Sequence, residues 1–382
     1  MAQATTTPHL SEIVIYPIKS LRGISVPRVA LEREGLAFDR RWMLINDKNR
    51  FVTQREIPKL CLFQPELTPV EAPALGTRQA SRLPGAALIV RPPPSSALPP
   101  LRVPLEPEQA SSRTATVWGF SGDVLDEGDE AAAWFSAALA ELGGGAGGAA
   151  PTTAVRLVKH APQLPLGTRI VDPSFALPGT TTAFADEYPV LAATEGSLAD
   201  LNKRLGNALP MSRFRPNLVF AGGEASDAPW ADDGWARVRV CSEQQGGAVD
   251  FEYVKPCSRC KVTTVDPSTG EVGGGGEGGQ KLPAGDHEPL RALRGFRTGA
   301  ALGWEKKRPA FKHAVFFAWN VQPVVVEEGD GAGGGGGRVV ALGAGGQQQE
   351  EKNDDGDATW PPPLAVLERG SRVEVVARRK WE

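Results

Sequence analysis

Cysteine, histidine, methionine and tyrosine are all scarce in this chain of 382 residues, which has four Cys, four His, three Met and three Tyr. So few thiols over such a length exclude a disulfide scaffold and point to a reducing compartment. His9, His160, His287 and His313 have no paired spacing with the cysteines, which weighs against a structural zinc site. Neither sign of charge dominates, since 42 Lys plus Arg face 45 Asp plus Glu for a net charge of −3. No global field therefore draws the protein to nucleic acid or to a membrane surface, and any anion site has to be local. No stretch approaches the ~18 apolar residues of a membrane span. No G-x-G-x-x-G follows a strand, and no glycine tract leads into the Lys and Ser or Thr of a phosphate loop. The start, "MAQATTTPHLSEIVIYPIKS", has no basic region followed by an apolar core and is poor in Arg. The expectation is a soluble, cytoplasmic monomer with no membrane span and no nucleic-acid partner.

Glycine, by contrast, is abundant, and it is concentrated. Residues 143–150, 273–280 and 329–358 are Gly-rich tracts that read as loop insertions, because they offer too little apolar surface to offset the entropy of ordering them. Between them, alternation is legible: Ile13 with Ile15, Trp42 with Leu44, Val249 with Phe251 and Tyr253, and "RVEVVARR" near the end. Helical spacing occurs in "DEAAAWFSAALAEL", with Asp129 as cap and Phe135, Leu139 and Leu142 on one face. It recurs in "TEGSLADLNKRL", with Thr194 as cap and Leu198, Leu201 and Leu205 inside. Strands, then a helix, then strands again predict an α+β, strand-dominated or barrel architecture and not a doubly wound sheet.

The densest chemistry lies in "KPCSRCKVTTVDPSTG", residues 255–270. Cys257 and Cys260 admit three readings: half a zinc site, a dithiol redox pair, or a single thiolate ligand to a soft metal with Lys255, Arg259 and Lys261 around it. The pair follows a strand ending in proline and precedes β-branched residues, so it sits in a turn and not at the helix start a thioredoxin-like pair requires. Three basic clusters stand at predicted strand ends: Lys19, Ser20 and Arg22; Arg40 and Arg41; Arg215 with Asn217. Such a set suits a polyanion held by charge-assisted hydrogen bonds, with Arg forks matched to phosphate.

Taken in order, "YPIKSLRG", "GLAFDRRWMLIN", "FVTQREIPKL", "RFRPNLVF" and "CSRCKVTTVDPSTGE" resemble the MOSC superfamily with its N-terminal β-barrel domain, and within it the amidoxime reducing components. The resemblance runs over most of residues 10–325 plus the final strand. It implies an N-terminal MOSC-type β-barrel domain at 8–125 packed on a MOSC β-barrel domain at 126–382 with a few helices. It implies that Cys260 ligates molybdenum and that Cys257 is a neighbour. Lys19, Ser20, Arg40, Arg215 and Asn217 match positions that hold the pyranopterin and its phosphate, and Ser258 and Arg259 flank the ligand as donors. "FADEYP" aligns with a cofactor-contacting loop; its side chains depart from the Thr and Ser of some relatives, so Asp186, Glu187 and Tyr188 are expected to contribute backbone contacts. Asn320 of "FAWN" stands where a Phe-Gly-Gln pattern is usual.

The function this implies is a molybdenum-cofactor-dependent (Mo-molybdopterin) reductase of N-hydroxylated compounds: amidoximes, hydroxylamines and N-hydroxylated bases, with nitrite reduction to nitric oxide as a further reaction. The chain has no C-x4-C-x2-C run for an iron–sulfur cluster of its own. Electrons are then expected from cytochrome b5 and its reductase, with nitrate reductase as an alternative source. The mitochondrial outer surface is the alternative location. The alternative function is a sulfur-carrier, cofactor-maturation or storage protein.

Overall fold

The computed structural model describes residues 7–68, 85–106, 111–143, 154–242, 247–273, 287–327, 338–341, 351–352, 358–359 and 365–379. Its centre is a closed barrel of seven strands. The order is Val190–Thr194, Leu218–Ala221, His9–Ile15, Arg372–Arg378, Trp235–Ser242, Gly247–Ser258 and Phe316–Glu327, which pairs back to Val190–Thr194. Alternation drives these segments into strands: Ile13 and Ile15 point into the core, as do Val238 and Val240, and Phe251 and Tyr253. The fold is strand-dominated α+β, as the sequence predicts.

The barrel draws on both ends of the chain. His9–Ile15 pairs antiparallel with Leu218–Ala221 on one side. On its other side it meets Arg372–Arg378 at a single register pair, His9 opposite Arg372, helped by backbone hydrogen bonds to Ser371 and Gly370. Two bulges interrupt the pairing of Gly247–Ser258 with Phe316–Glu327, between Tyr253 and Lys255 and between Pro256 and Ser258. Bulges re-aim side chains. These two lie just before the cysteine turn.

Beside the barrel, Trp42–Ile45, Arg156–His160, Phe120–Asp126 and Ser111–Val117 form a four-stranded antiparallel sheet. All four residues of Trp42–Ile45 are buried, not only the alternating pair: Trp42 and Leu44 join the main core, while Met43 and Ile45 enter a separate cluster with Val117, Val124 and Phe184. Pairing crosses the expected boundary at 125, since Arg156–His160 completes this sheet and Ala365–Glu368 pairs with Arg28–Glu32.

Two local expectations are corrected. The first helix spans Gly128–Glu141 and has no side-chain cap; Asp129 lies inside its first turn and pairs with Arg156 at 2.8 Å. Carboxylates favour that turn through the helix dipole as well as through capping, so the two roles look alike in sequence. The stretch 329–358 is not wholly without structure, because Arg338–Ala341 forms a strand against Val324–Glu327. Its β-branched valines supply what the surrounding glycines lack. Residues 144–150 and 274–280 of the other two tracts lie outside the described residues. Thr194 does cap the helix Glu195–Lys203, accepting from the Ser197 amide. Among the described residues, no helix is long and apolar enough to cross a membrane.

Candidate functional site

One end of the barrel opens into a cavity of about 810 Å³. The segments that reach it are the chain after His9–Ile15, the chains before Val190 and Leu218, and the end of Gly247–Ser258 with its partner Phe316–Glu327. Strand direction brings all of them to the same mouth, a usual place for a ligand site in a barrel. Ser20, Arg40 and Arg215 line it with left-handed backbones, at φ 71°, 46° and 56°. Such conformations in residues other than glycine persist where the surroundings enforce them, and they gather at functional sites.

The deep flank is built on Tyr16. The Arg40 and Arg215 guanidiniums lie 4.3 and 4.2 Å from its ring centroid. Burial pushes the Tyr16 phenol up to about 12, against the pull of the two arginines, so it stays neutral. Arg40 donates to Asp39 at 2.6 Å and to Asn217 at 2.8 Å. Asn217, 1% exposed, also donates to the Val14 carbonyl and to Asp39, both at 3.0 Å, and accepts from the Leu191 amide at 3.1 Å. Its amide is thereby committed to holding Arg40 in place. Burial lowers the pKa of Arg215, marking a guanidinium short of counter-charge.

The shallow flank is organised by Asp186, whose side chain is 51% exposed. It accepts from Lys19, from Arg55 at 3.3 Å and from the Trp118 indole at 3.3 Å. Burial opposes its ionisation, but Lys19 and Arg55 hold its carboxyl well below the usual carboxylate range. Lys19, by contrast, is drawn down to about 8 by burial, partly offset by Asp186. Arg169 donates to the Asp186 carbonyl at 3.1 Å and to the Ala183 carbonyl at 3.0 Å, clamping the loop from within, and burial lowers it to about 10. Lys255 pairs with Glu187 at 2.7 Å, and Asn320 donates to the same carboxylate oxygen at 3.2 Å.

Between the flanks sits the cysteine turn. Arg259 donates to the Cys257 sulfur and to the Phe214 carbonyl, each at 2.8 Å, while its Nε is buried without a partner. Burial raises the Cys257 thiol, opposed by Arg259. Cys260 is half-buried and starts a 3-10 turn, its carbonyl accepting from the Thr263 amide at 3.0 Å. Arg55 lines the same cavity. Among the described residues, no cluster of three or more His, Cys, Asp or Glu side chains is placed to hold a metal ion.

All twelve residues singled out from sequence line this cavity: Lys19, Ser20, Arg40, Asp186, Glu187, Tyr188, Arg215, Asn217, Ser258, Arg259, Cys260 and Asn320. Asp186 and Glu187 bring their carboxylates to the cavity, where they pair with Lys19 and Lys255. Other members of the basic clusters turn elsewhere. Arg41 is buried against Glu32 and Glu34, and Arg22 donates to the Pro267 carbonyl at 2.7 Å. The structure adds Arg55, Trp118, Arg169 and Arg308. Arg55 stands inside the quoted "FVTQREIPKL"; the others carry no sequence signal. In a protein of net charge −3, eight cationic side chains and three carboxylates line this cavity, a local excess of positive charge.

Comparison with known proteins places these features. A model of the MOSC N-terminal beta barrel domain matches residues 7–142, and a model of the MOSC domain matches residues 179–330. Mitochondrial amidoxime-reducing component 1 of Mus musculus is 30% identical over 293 residues, covering 75% of this chain and 71% of that protein. Mitochondrial amidoxime reducing component 2 of Rattus norvegicus is 29% identical over 299 residues, covering 75% and 72%. Molybdenum cofactor sulfurase of Oryza sativa subsp. japonica is 27% identical over 279 residues, covering 71% of this chain and 30% of that protein.

Proposed function

This chain belongs to the MOSC-domain family that includes the mitochondrial amidoxime-reducing components, and from that premise we propose that it holds a molybdenum cofactor in the barrel-mouth cavity and reduces N-hydroxylated compounds. The observation that carries this reading is the cavity itself: excess positive charge inside an acidic protein, with two half-buried thiols, Cys257 and Cys260, on its wall.

The residues present fit such a group. Cys260 offers one soft donor, and no described cluster supplies the rest. A metal here would have to arrive with its own donors, as the dithiolene of a pterin provides. The unpartnered Arg259 Nε and the under-compensated Arg215 suit a phosphate and a polar ring system. Arg40 and Arg215, fixed by Tyr16 and Asn217, would hold the phosphate end, while Lys19, Ser20 and the turn at Ser258–Cys260 would hold the metal end.

When bound, the cofactor supplies two-electron removal of oxygen from an N–OH group, so an amidoxime takes up two electrons and two protons and leaves as amidine and water. The chain's part is to bind, orient and supply protons. Lys19 Nζ, lowered to about 8, can release a proton near neutrality, and half-exposed Asp186 links it to bulk water. Arg259 fixes the turn that presents Cys260. Electrons come from a separate carrier, by the family analogy cytochrome b5 with its reductase; the relatives' names favour a mitochondrial location over a cytoplasmic one.

Similarity to a molybdenum cofactor sulfurase supports a second reading, in which the site carries or matures the cofactor without reducing a substrate. The test is metal and pterin analysis of the purified protein followed by benzamidoxime turnover with a chemical reductant. Molybdenum and pterin in equal amounts with turnover is the expected result. A loaded protein that reduces nothing favours the second reading, and a protein that never loads overturns both.

A further inference from the structure

An anionic ligand accounts for the cations but not for the apolar rim of this cavity. Trp118, Phe120 and Ile170 line its mouth, with Trp118 46% and Ile170 67% exposed. Three contacts hold Trp118 in place. Its indole nitrogen donates to Asp186, the Arg55 guanidinium lies 4.8 Å from its ring, and Phe51 sits 5.0 Å away at 55°. Its backbone is left-handed, at φ 53°, in the two-residue turn between the paired Val117 and Phe120. That position favours glycine, and the turn has one, Gly119, at the next residue, where an added Cβ would meet nothing within 4 Å. Turn chemistry therefore argues against a tryptophan here, and the bulky ring is accommodated at the expense of backbone strain. Arg55, under the ring, lines the same cavity as Cys260.

We propose that Trp118 is a specificity-determining residue, an aromatic platform at the cavity mouth that receives the planar, uncharged aromatic body of an N-hydroxylated compound while its N–OH group extends toward Cys260. This rests on the reductase reading. An uncharged amidoxime escapes repulsion by the surrounding cations, whereas an aryl group gains a stacking partner that an aliphatic one lacks.

The test measures equilibrium binding of benzamidoxime and acetamidoxime to the loaded enzyme by calorimetry, with no reductant present. Wild type should prefer benzamidoxime. Trp118→Gly, chosen because glycine suits the left-handed backbone, should shrink that preference about fivefold, and Trp118→Phe should keep most of it. An unchanged ratio in Trp118→Gly overturns the proposal. So does an equal loss in Trp118→Phe, which would assign the effect to the indole hydrogen bond with Asp186 and not to the ring. Adding reductant separates this idea from the one beneath it. Ring-dependent binding without turnover of either compound overturns the reductase reading alone, and turnover without ring-dependent binding overturns the platform alone.

Discussion

The two flanks of the cavity use the same residue types to opposite ends. On the deep side, Arg40 and Arg215 bracket a buried tyrosine and Asn217 has every hydrogen-bonding position filled by protein. On the shallow side, Asp186 and Glu187 are 51% and 40% exposed and hold Lys19, Arg55 and Lys255 by ion pairs that a ligand can compete for. Rigidity on one side lets a large ligand be gripped in a fixed pose. Exchangeable partners on the other let smaller molecules come and go.

The largest effect should come from the thiol between the flanks. Cys260→Ser replaces a soft thiolate with a hard hydroxyl, and N-reduction should fall to near background while pterin stays bound through the deep flank. Cys257→Ser should keep substantial activity, and equal loss in both variants, with a disulfide forming in wild type under mild oxidant, would restore the dithiol reading. Next comes Arg215→Gly, which removes a phosphate fork yet relieves a left-handed backbone. Pterin content should drop while the melting temperature holds or rises; full loading would remove Arg215 from the site.

Lys19 gives a pH signature of about 3 kcal/mol. Its folded pKa, about 8, lies below its ordinary 10.5, so the buried ammonium costs stability below pH 8 and that cost fades as pH rises toward 10.5. Cofactor-free wild type should therefore gain stability relative to Lys19→Met across that window. A flat difference would show that Asp186 compensates the charge fully. The smallest contrast compares the flanks directly. Asn217→Ala strands buried partners and should cost roughly 1–3 kcal/mol in denaturant unfolding. Glu187→Gln, on the open side, keeps an oxygen to accept from Lys255 and Asn320 and should cost less than Asn217→Ala. Equal costs would erase the distinction between the flanks.

Much of the site was legible in the sequence because its residues sit near strand ends, where periodicity stops and charge begins. Lys19, Arg40, Arg215 and the cysteine turn all follow that rule. Periodicity says nothing about which neighbour a strand end will face, and so Arg41, next to Arg40 and chemically identical, gave no sign that it turns to Glu32 and Glu34. Arg169 and Trp118 belong to the shallow flank, where function depends on a turn and a loop brought from other parts of the chain. The closure of the barrel was hidden for the same reason: His9–Ile15 reads as a strand, but its partner Leu218–Ala221 lies far along the chain. The strand Arg338–Ala341 was masked by its glycine surroundings.

The seam between His9–Ile15 and Arg372–Arg378 sets an order of events during synthesis. The first barrel strand is made long before the last; its Val14–Ile15 end pairs at once with Ile24–Ser25, but the edge around His9 and Leu10 stays unpaired until the last strand has been made. Every residue proposed to hold the ligand precedes that last strand, so the binding groups exist before the wall that steadies them. Loading would then follow the synthesis of residues 372–378, and a nascent chain arrested before residue 372 would carry the chemistry of the site without the enclosure to retain its occupant.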